Sequence, residues 1–141
     1  MKTINELTSV IQQEAELAEL LEALLKEKQN AFIYWKPEEL DSVVKEEESL
    51  LRRIAELEKT RTSLVTNLSN DGEQKKLSML AEEFGSDDLR VQALRLRIAS
   101  ENVMKRNDQN KQLLQSSLSF VQHTLALLTN NYQRQLIDQK A

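Results

Sequence analysis

The residues that could do chemistry in this chain are few. His123 is its single histidine, set between Gln122 and Thr124. A carboxylate-bridged di-metal site in a helical bundle needs a Glu-x-x-His motif on each of two helices, which one histidine cannot supply. His123 therefore reads as a solvent-facing residue. The acidic run Glu46, Glu47 and Glu48 reads as a solvated helix face, and Asp87 with Asp88 suits the positive end of a helix better than a metal. With no cysteine, there is no thiol nucleophile, thiolate metal site or disulfide framework. No Gly-rich phosphate loop, Gly-x-Ser-x-Gly elbow or calcium-loop spacing occurs. The expectation is a protein with no catalytic residues, no metal and no cofactor, so not an enzyme.

Composition narrows the partners as well. Net charge is −4 over 141 residues, and the basic residues are scattered. Their densest patch, Arg90, Arg95 and Arg97, adjoins Asp87 and Asp88, whereas a nucleic-acid surface needs a basic stripe. No apolar run reaches the roughly 18 residues of a membrane span. The start, "MKTINELTSVIQQ", places acidic and amide residues where a signal peptide would have an apolar core. A cytoplasmic location is expected, with neither nucleic acid nor membrane insertion. Without a secretory signal, Asn67-Leu68-Ser69 is not read as a glycosylation site.

The elements that carry these residues are long. Two glycines and one proline leave few places for the chain to reverse. Ile4, Leu7, Ile11, Ala18, Leu21, Leu25 and Phe32 recur at helical spacings, widened by Leu17, Leu20 and Leu24, as for a helix facing more than one partner. A second stripe runs through Leu40, Val43, Leu50, Ile54, Leu57, Leu64 and Leu68. Between them, "YWKP" ends one helix and starts the next, with Pro37 suited to a first helical turn. The reading is all-α. Helix 1 covers 1–35 and helix 2 covers 37–69, forming an antiparallel hairpin. Residues 70–86 form a loop or a short helix at 73–84, whose Leu77, Leu80 and Phe84 touch the bundle. A longer third helix covers 87–138, and the whole makes one coiled-coil-like helical domain.

In such a hairpin, facing positions should sum to about 75, which pairs Ile11 with Leu64, Leu21 with Ile54 and Leu25 with Leu50. The polar interruptions of the first stripe, Glu14 and Lys28, then face Arg61 and Glu47, the interruptions of the second. Each pair has opposite sign, the usual device for fixing register. At 1.5 Å per residue the hairpin arms are roughly 45 Å long and the last helix roughly 75 Å. Its C-terminal part would pass the turn near Leu118, with Phe32, Tyr34 and Trp35 capping the hairpin and sheltering the departing helix. That part carries Leu118, Val121, Leu125, Leu128 and Tyr132 along one face, with Leu136 beyond and Phe120 and Leu127 flanking. This spacing suits capture of an amphipathic partner segment.

The stretch "LLEALLKEKQNAFIYWKPEELDSVVKEEESLLRRIAELEKTR", followed by "NDQNKQLLQSSLSFVQHTLALL", resembles the FlgN family of flagellar type III export chaperones. Ala31-Phe32 before the turn, Leu50-Leu51, Ile54, Leu57 and Arg61 after it, and Asn107, Asn110, Leu113 and Leu114 downstream carry the likeness. The family pattern places Glu before the turn and Lys after it. This chain has Lys28 and Glu47, a reversal that preserves the ion pair. The resemblance implies a cytosolic chaperone without ATPase activity, whose clients are the C-terminal segments of the hook–filament junction proteins. It also implies a client site along Leu118, Val121, Leu125, Leu128, Tyr132 and Leu136, and contact of Tyr132 with the flagellar export gate. The competing reading is a homodimeric coiled-coil scaffold without a client, in which the same stripe pairs with its own copy.

Overall fold

Four helices account for the regular structure of the computed structural model, which describes residues 2–69 and 75–140, the side chains of 131–133 and 135–140 excepted. They are α1 (Lys2–Ile33), α2 (Pro37–Leu68), α3 (Leu77–Glu83) and α4 (Asp87–Lys140). The architecture is all-α: an antiparallel long-helix hairpin, a longer last helix, and a short helix between them. The chain forms two compact units, residues 1–107 and 108–141.

The first unit is organised around α1. Residues 4, 7, 11, 14, 18, 21 and 25 are buried along one stripe, and Thr8, Ala15, Leu17 and Leu24 are buried beside it. That width is what a helix needs to pack between two others. One neighbour is α2, which buries only Val43 and Val65, while Leu50, Ile54, Leu57 and Leu64 are half-buried. The other is the first part of α4, where Arg95 reaches Glu19 with two contacts of 2.6 and 2.9 Å. Further along, Arg106 donates to Gln29 at 2.9 Å and Glu22 at 3.3 Å. The numbers rise together on both helices, so α4 runs parallel to α1 here.

The best-enclosed core lies at the open end of the hairpin. Ile4, Leu7 and Ile11 of α1 meet Val65 of α2, Leu80 and Ala81 of α3 and Leu89 of α4, with Leu64, Leu68, Leu77 and Leu96 packed against them. Each large apolar side chain buried there contributes about 1.5–3 kcal/mol. This is why so short a helix as α3 is retained, since it closes an end that two helices leave open. Leu77 and Leu80 make this contact. Phe84, expected to share it, is instead exposed, because it is the last residue of the α3 turn before Gly85.

Both reversals use the same hydrogen-bond geometry. At the hairpin turn, Trp35 N–H donates to the Phe32 carbonyl and Lys36 N–H to the Ala31 carbonyl. After α3, Gly85 N–H donates to the Glu82 carbonyl and Ser86 N–H to the Ala81 carbonyl. This paired closure requires a left-handed residue just past the helix end. Gly85 takes that role at φ 60°, and Trp35 takes it at φ 50°. Tyr34 and Trp35 point into solvent, with Trp35 82% exposed. The expectation that Tyr34 and Trp35 cap the hairpin is therefore corrected, while Phe32 is half-buried. A left-handed residue ends its helix by turning the chain outward, and its side chain goes with it.

Ser86 also starts α4. Its Oγ accepts from Leu89 N–H at 3.1 Å, and Asp87 and Asp88 lie in the first turn, where carboxylates favour the positive helix end. At the start of α2, Pro37 with Glu38 and Glu39 does the equivalent work without a side-chain cap.

Candidate functional site

The residues singled out for register come together. Lys28 Nζ lies 3.0 Å from both carboxylate oxygens of Glu47. Arg61 Nε lies 2.8 Å from Glu14 Oε1 and 3.2 Å from Oε2. In both pairs the residue numbers sum to 75. These are contacts inside the hairpin wall, set where the apolar stripes of α1 and α2 are interrupted. Glu14 is almost fully buried, and loss of its hydration raises its carboxyl pKa above the ordinary value, a rise that Arg61 partly offsets.

Sequence reasoning did not find the α1–α4 contacts. Their signal was available: Arg95 and Arg106 are eleven residues apart, three helical turns, so they share a face. The Arg95 bidentate contact holds the Glu19 carboxyl below its ordinary pKa, and Glu19 in turn raises that of the Arg95 guanidinium.

The second unit is built on a different principle. From Lys111 to Asn130 only Leu113 and Thr124 are even partly buried. Leu118 is 53% exposed, and Val121, Leu125 and Leu128 are exposed at spacings of three, four and three, on one face of the helix. Leu114 extends this face towards the N-terminus. Phe120 (71% exposed) and Leu127 widen the apolar arc. Tyr132 and Leu136 belong to α4, but their side chains lie outside the described residues.

An isolated helix in water does not ordinarily expose an apolar face of this extent. The face combines branched aliphatic side chains with flanking aromatic area and carries no convergent titratable groups among the described residues. His123, on the same stretch, is exposed. Among the described residues there is no cluster of three or more His, Cys, Asp or Glu placed to hold a metal. No helix among them is long and apolar enough to cross a membrane.

The chain matches the family model described as FlgN protein over residues 1–137, nearly its whole length. No curated protein and no solved structure matches it at a significant level. The hairpin and the apolar face from Leu118 to Leu128 both fall within the matched range. The chain belongs to the FlgN family of flagellar export chaperones.

Proposed function

We propose that this protein acts in the cytoplasm as an export chaperone for the hook–filament junction proteins, holding their C-terminal segments against the apolar face of α4. The observation that carries this reading is the exposed row Leu118, Val121, Leu125 and Leu128, in a chain of this family. Tyr132 and Leu136 continue that spacing in sequence and complete the client site. An amphipathic client segment laid on this face covers both apolar surfaces at once. That keeps the client from assembling early. Ordering the segment opposes binding, which leaves the complex releasable when the client is exported. In this reading Tyr132 also contacts the flagellar export gate, so delivery and holding share one helix. The protein performs no chemistry of its own.

The test is a calorimetric titration with a peptide from the C-terminus of a hook–filament junction protein. Full-length protein should bind at micromolar affinity or tighter, and both truncation after Gln115 and the double substitution Val121→Asp, Leu125→Asp should abolish binding. Binding that survives these changes would move the client to the hairpin. Absence of binding by a folded, dimeric sample would leave the scaffold reading in its place.

A further inference from the structure

The client strip is as distinctive for what it lacks as for its leucines. Residues 112–133 contain no Asp, Glu, Lys or Arg, in a chain that is 30% charged overall. Lys111 and Arg134 bracket the run. Elsewhere the exposed surface is laced with ion pairs, such as Asp41–Lys45, Asp87–Arg90 and Arg97–Glu101. The side chains beside the anchors are hydroxyls and amides. Ser117 lies four residues before Val121, Gln122 four after Leu118, Thr124 four before Leu128 and Thr129 four after Leu125, so each sits next to an anchor on the helix surface. Ser117, Gln122 and Thr129 are exposed, and Thr124 is partly so.

We propose that this surface selects an uncharged amphipathic helix of about 20 residues, the length that spans roughly 30 Å, with apolar anchors and an amide and hydroxyl rim of its own. The inference rests on the client reading above and names the chemistry of the client. A charged side chain on the incoming segment would lose water against this rim without gaining a counter-charge, which disfavours it. Hydroxyl and amide groups each donate and accept, so they satisfy similar groups on a partner in several local registers. Recognition therefore depends on apolar contact and neutral hydrogen bonds. The same absence of charge removes the flanking ion pairs that fix alignment in a self-paired coiled coil, which favours a client over a second copy.

The experiment measures affinity of the full-length protein for the junction-protein peptide at 50 and 500 mM salt. It is repeated with Gln122→Lys, Gln122→Glu, Thr129→Lys and Thr129→Glu. The dissociation constant should change less than about twofold with salt, because no formal charges meet at the interface. Charges of either sign at 122 or 129 should weaken binding by about threefold or more. Weakening of tenfold or more at high salt, or tighter binding with one sign of charge, overturns the uncharged-client inference while leaving the chaperone function intact. Absence of binding at either salt concentration removes the client reading and this inference together.

Discussion

Glu14 and Arg61 meet 2.8 Å apart across the hairpin, with the carboxylate almost wholly buried and the guanidinium only partly so. The arrangement is asymmetric: one partner has lost its water and the other has kept some. Loss of hydration outweighs the attraction of Arg61, and Glu58 adds repulsion, so the Glu14 pKa stands above 4.5 in the folded protein. A group with a raised folded pKa adds stability that is complete below its unfolded pKa and is lost as pH rises through the folded one. Glu14→Gln should therefore gain stability relative to wild type as pH climbs from about 4.5 through that raised value, and the difference should be flat below 4.5. Urea denaturation of both proteins between pH 4 and 8 checks the sign. A constant difference over that range would show that Glu14 does not titrate abnormally.

Lys28 and Glu47 form the other cross-hairpin pair, and both side chains are mostly shielded from water. Reversing Lys28 to Glu alone would place two carboxylates together and should destabilise the hairpin by about 1–3 kcal/mol. Lys28→Glu with Glu47→Lys should recover most of that loss, since the reversed pair keeps the same register. A double-mutant cycle by thermal or urea unfolding gives the coupling directly. Additive losses would mean that the pair is incidental and that apolar packing alone sets the register.

Trp35 occupies a backbone conformation that the chain elsewhere assigns to glycine. Left-handed geometry costs a side-chain-bearing residue roughly 1–2 kcal/mol, and an exposed Trp35 recovers little of it by packing. Trp35→Gly relieves this, at an unfolded-state entropy cost of about 0.4–1 kcal/mol, so a net gain in stability is expected. Gly85→Ala should do the reverse. Its added Cβ meets no atom within 4 Å, so the loss of roughly 1–2 kcal/mol would be purely conformational. Melting temperatures of the two variants should move in opposite directions.

Much of this fold was legible because its rules are periodic. Stripe spacing located α1 and α2, Pro37 located the turn, and complementary interruptions identified the pairs that the structure brings together. Three features were hidden, each for a physical reason. The outward course of Tyr34 and Trp35 depends on one left-handed residue, and the usual sign of that conformation, glycine, is absent there. The ion pairs between α4 and α1 join surface positions: the shared face of Arg95 and Arg106 could be read, but not which of the many carboxylates of α1 they meet. Phe84 looked like a core residue by spacing, yet α3 ends beneath it. The apolar face from Leu118 to Leu128 was plain in sequence because its only requirement is periodicity.

Leu80 gives the sharpest test of why α3 exists. It is fully buried among Ile4, Leu7, Ile11, Val65 and Leu89, although its helix is only seven residues long. A helix of that length is not stable alone, so it is held by this contact rather than by its own hydrogen bonds. Leu80→Ala should cost roughly 2–5 kcal/mol, the range for emptying a well-packed leucine site. Amide exchange should accelerate across 77–83 and at the start of α4, since α3 and Leu89 share the cluster. Exchange from 112 to 130 should not change, because none of those residues belongs to that core. Faster exchange confined to α3, with little loss of global stability, would show instead that the hairpin's open end is closed without it.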